Sequence, residues 1–100
     1  MAFGFEFQQP TKEYKPKQEM LVDTSVIVAF NEQGDIKPLR LIIEAQEERY
    51  VYNIPKIYYK SFYDIGGVES IRFGIRLKEE ESISRELIYF IEEHQWKIKL

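Results

Sequence analysis

The sequence contains no cysteine and only one histidine, His94, and these two shortages limit the chemistry that the chain can perform. Without cysteine there are no disulfides, no thiolate metal ligands and no cysteine nucleophile. One histidine is too few for a histidine-rich metal site, and its place in an acidic run predicts an exposed turn rather than a catalytic triad. The sequence therefore predicts a protein that is not an enzyme and has no catalytic residue, cofactor or metal.

Long apolar runs are also absent. No stretch approaches the roughly 20 apolar residues of a membrane-spanning helix, and the first residues contain no basic leader followed by an apolar segment. We therefore expect a cytoplasmic protein without a membrane partner.

Aromatic side chains, in contrast, are abundant. They make up 15% of the 100 residues and include seven Phe and seven Tyr. The 44% of hydrophobic and 31% of charged residues are ordinary for a globular chain, and the length suits one domain with one core. Flat rings pack well on pleated strands and are frequent at binding surfaces, so a β domain with a binding function is indicated.

Residues 1–19 are predicted to form an arm and linker ahead of a single β domain of residues 20–100. Phe3, Phe5 and Phe7 alternate with small or polar residues, as in a short strand, and a segment rich in proline and lysine follows. The three Phe side chains need burial, either on the domain or on a neighbouring molecule. We therefore take them as candidate partner-binding residues.

From Leu21 onward the apolar residues recur with the two-residue period of β-strands. Turns are predicted at residues 31–35, at residues 46–49 and at Gly66–Gly67, and Pro55 is expected to break or bend the third strand. The residues predicted to share a strand face, strand by strand, are Val22, Thr24, Val26, Val28 and Phe30; Leu39, Leu41, Ile43 and Ala45; Tyr50, Tyr52 and Ile54; and Ile71, Phe73, Ile75 and Leu77.

The C-terminal quarter fits two interpretations. Ile83, Leu87 and Ile91 lie at helical spacing, whereas residues 85–91 are rich in β formers and are followed by an alternating segment that ends at Leu100. We favour a hairpin of two strands, with a helix as the alternative. The fold prediction is mainly β: a small antiparallel meander that closes into a barrel or sandwich, SH3-like or similar, with one C-terminal helix in the alternative.

The net charge of −3 is spread unevenly along the chain. From Arg49 to Lys78 there are six basic residues against two acidic ones, and aromatic residues lie between them. A partner with negative charge would dock here. The aromatic and basic patch of this segment comprises Lys56, Tyr58, Tyr59, Lys60, Phe62 and Tyr63, joined across the sheet by Arg72, Arg76 and Lys78. The candidate partner-binding residues taken from it are Lys56, Tyr58, Tyr59, Lys60, Arg72 and Arg76.

Two functions fit this segment and the arm. The first is a non-catalytic protein-interaction or self-association module that uses strand addition at an aromatic edge. The second is a small barrel that binds single-stranded nucleic acid, since bases stack on aromatic rings and lysine and arginine neutralise phosphates. We favour the first because the whole chain is acidic and because lysines on exposed edges commonly serve to prevent aggregation.

Turn and core positions form a further pattern, carried by Gly34-Asp35-Ile36-Lys37-Pro38-Leu39, Tyr52, Ile54, Ile57, Gly66-Gly67, Arg72-Phe73-Gly74-Ile75-Arg76 and Trp96. Through these positions the chain from Val22 to Leu100 resembles a group of small uncharacterised bacterial β proteins with barrel-like folds. The resemblance implies a small β fold. It carries no site residues, because no activity is assigned to that group.

Overall fold

A computed structural model of the chain describes residues 20–77 and 84–100. The predicted arm of residues 1–19 lies outside this part. The described residues form strands and no helix, so they include no helix long and apolar enough to cross a membrane. The mainly β prediction is confirmed, with strands β1 (Leu21–Phe30), β2 (Ile36–Ala45), β3 (Glu48–Asn53), β4 (Lys56–Ile65), β5 (Val68–Arg76), β6 (Arg85–Phe90) and β7 (Gln95–Lys99).

The strands form one antiparallel sheet in the order β3-β2-β1-β7-β6-β5-β4. Strands β3 and β4 lie at opposite edges of the sheet that the described residues form, although only Ile54 and Pro55 separate them in the chain. The sheet therefore has to roll, so that its two edges meet at this corner.

Two contacts lie near the corner between β3 and β4. The Ile54 N–H donates a hydrogen bond of 3.0 Å to the Leu39 carbonyl, which extends the pairing of β2 up to Pro55. Further on, Lys60 Nζ lies 4.0 Å from Oδ1 of Asp35, in the turn between β1 and β2. No ladder joins β3 to β4, so the sheet of residues 20–77 and 84–100 is not closed. The break predicted at Pro55 is confirmed, since proline has no N–H with which to continue a ladder.

The rolled sheet encloses one hydrophobic core. Its two halves contribute facing side chains, from β2 and β3 on one side and from β5, β6 and β7 on the other, while Val22 and Val26 of β1 pack against them. Because strand side chains alternate between faces, every second residue of these strands points inward. The buried residues of the cluster are Leu41, Ile43, Tyr50, Tyr52, Phe73, Ile75, Leu77, Leu87 and Ile98.

Strand β2 contains a bulge at Leu39. The register with β1 shifts after Ile27, so that Leu39 lies opposite no residue of β1. The extra residue reverses the alternation: Pro38 is fully buried and Leu39 is 41% exposed. The face predicted from the two-residue period is therefore right from Leu41 onward and wrong at Leu39.

The predicted turns are confirmed, and each uses backbone with positive φ. Gly34 has a φ of 83°, and the hairpin between β4 and β5 turns at Gly66 and Gly67, with φ of 59° and 87°. The turn between β2 and β3 uses Gln46 and Glu47, with φ of 55° and 64°, and ends two residues earlier than predicted. The two-residue loops at residues 46–47 and 66–67 match the right-handed twist of the flanking strands, whereas the connection that contains Gly34 has five residues.

The C-terminal segment is the predicted strand hairpin, and the helix alternative is wrong for residues 85–90. Strand β6 pairs with β5 on one side and β7 on the other, and the adjacent side chains of Leu87 and Ile88 are both buried. As a strand between two others, β6 buries side chains on both of its faces, which suits its β-forming residues. His94 lies in the exposed turn, where its Nδ1 is 2.9 Å from the hydroxyl of Tyr89.

Truncation of two leucines in β2 tests the bulge. We expect Leu41→Ala to lower the free energy of unfolding by about 2–5 kcal/mol, because it leaves a cavity in the core. Leu39→Ala, two residues away on the same strand, should cost less than about 1 kcal/mol, because its side chain is partly in water. Urea denaturation of both variants measures the difference, and equal losses would contradict the bulge.

Candidate interaction surface

The two edges of the sheet differ in length and in what they expose. Strand β3 has six residues, its Tyr50 and Tyr52 are buried, and it starts with the exposed charged residues Glu48 and Arg49. Strand β4 has ten residues and only one neighbour in the described sheet, which is β5. Short charged edges are protected against pairing with another chain, whereas long apolar edges are templates for it.

We call strand β4 with its unpaired side the β4 edge. Five of its ten residues are large apolar or aromatic residues that are 40% to 60% exposed. Across the hairpin turn, Val68 continues this apolar surface. Clusters of exposed apolar groups on a soluble domain commonly mark binding sites. The five exposed residues of β4 are Tyr58, Tyr59, Phe62, Tyr63 and Ile65.

The Phe62 side chain is exposed because of the position of β4 in the described sheet. Its cross-strand partner is Ile71, so it lies on the same side of the sheet as the core, yet it is 60% exposed. No further strand covers the outer flank of β4 in the described sheet. A side chain that would be half-buried in a central strand is therefore left in contact with water.

On the opposite side of the sheet, two tyrosines of β4 lie on β5. Tyr59 faces Gly74, and a Cβ atom built on Gly74 would overlap the Tyr59 ring. The ring therefore occupies the space that the missing side chain leaves. Further along the same face of the sheet, the guanidinium carbon of Arg72 lies 4.7 Å from the centre of the Tyr63 ring.

The charge of Arg72 is balanced within the sheet. Its Nη1 lies 3.4 Å from Oε1 of Glu86, and both side chains are three-quarters buried. The Nε atom is buried and has no acceptor among the described residues, so the face of Tyr63 compensates part of its desolvation. Partial burial, the carboxylate of Glu86 and a hydrogen bond to it raise the pKa of Tyr59, against an opposing effect of Arg72.

The predicted site residues of the basic segment lie on both faces of the sheet. Lys56 and Arg76 lie opposite each other on β4 and β5, and the Lys56 ammonium is 5.5 Å from the centre of the Tyr58 ring. Lys60 faces Phe73 and so lies on the core side of the sheet, whereas Arg72 lies on the outer side. The structure thus brings Tyr59 and Arg72 to one face and places Lys60 on the other.

The remaining predicted residues, Phe3, Phe5 and Phe7, lie outside the described residues. Sequence reasoning also missed two parts of the surface, Ile65 and Val68, which face each other beside the Gly-Gly turn. Two glycines between β-branched residues are a hairpin signal, and this signal would have extended the edge to its tip.

The backbone and side chains of the β4 edge suit the pairing of a further strand. Within residues 20–77 and 84–100, no group of three or more His, Cys, Asp or Glu side chains could hold a metal ion. What the surface offers is a row of outward backbone donors and acceptors flanked by aromatic rings. Main-chain hydrogen bonds with side-chain pockets on alternate residues are the basis of strand addition.

A double-mutant cycle tests the packing of Tyr59 on Gly74. Gly→Ala in a strand commonly stabilises by about 0.4–1 kcal/mol, because alanine restricts the unfolded chain. We expect that gain for Gly74→Ala only in a Tyr59→Ala background, and a neutral or destabilising effect in the wild type, where the ring must move. Thermal unfolding of the wild type, the two single variants and the double variant measures the effect of Gly74→Ala in each background. Equal effects in both backgrounds would show that the ring does not occupy this space.

The raised pKa of Tyr59 gives a pH prediction. The folded protein holds the proton of the Tyr59 phenol more tightly than the unfolded chain does. The contribution of this proton to the free energy of unfolding is complete below the ordinary tyrosine pKa of about 10, and it is lost as the pH rises through the raised pKa. Glu86→Gln removes the negative charge and should lower the pKa of Tyr59. An NMR titration of the tyrosine ring carbons follows the pKa of Tyr59, and an unchanged Tyr59 curve would exclude Glu86 as a cause.

Comparison of the chain with models of protein families, with curated proteins and with solved structures gives no match. The resemblance to small bacterial β proteins stays a prediction.

Proposed function

We propose that the chain is a non-catalytic protein-interaction domain that self-associates by adding a strand at the β4 edge. The observation that carries the proposal is the contrast between the two edges of one sheet. A short charged edge and a ten-residue aromatic edge lie on the same small domain. A cytoplasmic location, expected from the sequence, belongs to the proposal.

The energetics favour strand addition at β4. An added strand would pair the outward N–H and C=O groups of β4, which face no strand among the described residues, and would cover part of its apolar surface. Burial of apolar surface contributes roughly 25 cal/mol per Å², and tyrosine adds contact area at small cost in side-chain entropy. Tyrosine and phenylalanine are also among the residue types enriched in protein interfaces.

The ion pairs at this surface favour a protein over a nucleic acid. Lys60 lies 4.0 Å from Asp35, and Arg72 lies 3.4 Å from Glu86. The largely buried pair with Glu86 reduces the attraction that Arg72 exerts on phosphates, whereas the exposed Lys60–Asp35 contact reduces that of Lys60 only slightly. Nucleic-acid binding depends on positive charge that is free to replace condensed counterions.

Two phenylalanines provide a matched test. Phe62 on the β4 edge and Phe30 at the end of β1 are 60% and 66% exposed, so lysine at either position leaves the core intact. We expect the wild type to exceed the 12.0 kDa monomer mass with rising concentration, Phe62→Lys to weaken this association at least about tenfold, and Phe30→Lys to leave it unchanged. Light scattering after size exclusion measures the mass.

A wild type that stays at the monomer mass at every concentration would contradict the proposal. Association that both lysine variants weaken equally would place the interface elsewhere. The same measurement with a short single-stranded DNA at low and high salt tests the alternative. Binding of DNA that disappears at high salt would favour the nucleic-acid function instead.

A further inference from the structure

The occupant of the β4 edge can be specified further, and this step rests on the proposed self-association. We infer that β4 pairs antiparallel with β4 of a second copy, with Phe62 opposite Phe62 on a two-fold axis. In such a pair each contact occurs twice, because the same patch is used by both copies. The register of the pair follows from the charges and apolar side chains along β4.

The symmetry limits the registers to a few. A two-fold axis perpendicular to the sheet keeps the core sides of both copies on one side of the joined sheet. Core-side residues then face core-side residues of the second copy, and outer residues face outer residues. The axis consequently passes through a residue near the middle of the strand: Lys60, Ser61, Phe62 or Tyr63.

Charge selects among these four positions. Lys60 and Asp64 lie on the same side of β4, with Phe62 midway between them. An axis at Phe62 places Lys60 of each copy opposite Asp64 of the other, which makes two opposite-charge pairs. An axis at Lys60 places two lysines opposite each other, which is destabilising. An axis at Ser61 or Tyr63 places Phe62 opposite Lys60 or Asp64.

The chosen register also matches the apolar side chains. Phe62 meets its own copy at the axis on the core side, where each is now 60% exposed. On the outer side, Tyr59 faces Ile65 of the second copy and Ser61 faces Tyr63. Aromatic and β-branched residues in direct cross-strand contact are favourable pairs. The register therefore covers four of the five exposed residues of β4.

Neither charged residue is prevented from forming the new contact. Lys60 reaches Asp35 only at 4.0 Å, and its side chain keeps 40% of its exposure. Asp64 uses Oδ1 to accept the Gly67 N–H at 3.0 Å, which leaves Oδ2 for a second donor. An ammonium group has three donors and can serve two carboxylates at once.

Disulfide trapping tests the register directly, because the chain has no cysteine of its own. Residues that face each other in an antiparallel pair have Cα atoms about 4.5–5.5 Å apart, within the range that a disulfide spans. Phe62→Cys should therefore form a cross-linked dimer under mild oxidation. Tyr63→Cys is offset from its own copy and should cross-link at least about tenfold less, and Arg49→Cys on β3 should not.

A charge exchange provides an independent test. Lys60→Asp gives a copy with two acids on the core side of β4, and Asp64→Lys gives a copy with two lysines. Each variant alone should dimerise about tenfold more weakly than the wild type, while an equimolar mixture should form a heterodimer. Light scattering and native mass spectrometry measure both, and thermal unfolding shows that each variant is folded.

The outcomes separate this inference from the proposed function. A monomeric wild type contradicts both. A dimer that Phe62→Lys weakens, but that cross-links better through Tyr63→Cys than through Phe62→Cys or shows no recovery in the mixture, overturns the register alone. Loss of the dimer in the full-length Phe5→Ser variant would also overturn it, because the N-terminal arm would then be the occupant of the β4 edge.

Discussion

The two-residue connection between β3 and β4 is the constraint on which the rest of the structure depends. The strands that Ile54 and Pro55 join lie at opposite edges of one sheet, so the sheet has to roll until the edges meet. Rolling brings the inner faces of its two halves together and creates a single core, and the hydrogen bond from Ile54 to Leu39 continues the pairing of β2 with β3 as far as the corner. A flat sheet with the same strands would leave that apolar face in water.

The same corner produces the difference between the two edges. Strand β3 is short and buries its aromatic side chains, whereas β4 leaves the corner and continues for ten residues along the hairpin with β5. On the outer side, the rings of Tyr59 and Tyr63 lie over Gly74 and Arg72, so part of their area is used within the domain. What is left exposed is concentrated along the free flank of β4.

An exposed edge strand carries a risk of uncontrolled association, and two features of this domain reduce that risk. A domain with two adhesive edges can grow into a filament, whereas one adhesive edge used about a two-fold axis closes at two copies. The protected β3 edge and the alternation of Lys60, Phe62 and Asp64 both fit the closed arrangement. Charges of opposite sign on either side of Phe62 favour one register and disfavour its neighbours.

Local pattern was enough to predict the turns, the β class and every strand of the described residues except β4, because alternation and turn chemistry are short-range properties. Strand β4 was described only as an aromatic and basic stretch, since its apolar residues do not alternate. Val22 to Val28 alternate as expected, the Gly66–Gly67 turn is present, and the C-terminal hairpin follows its β formers. Pattern failed at Leu39, where a bulge reverses the faces, because a bulge depends on the partner strand. Two-residue periodicity alone contains no information about that partner.

The sequence by itself determined which residues are available for binding, and the tertiary structure decided how they are grouped. Lys56, Tyr58, Tyr59 and Lys60 are consecutive or nearly so, which made them visible as a patch. Their distribution over two faces, the pairing of Arg72 with Glu86, and the place of β4 at an edge rather than in the middle arise from strand order. Strand order depends on long-range contacts that close the core, and no local segment encodes these alone.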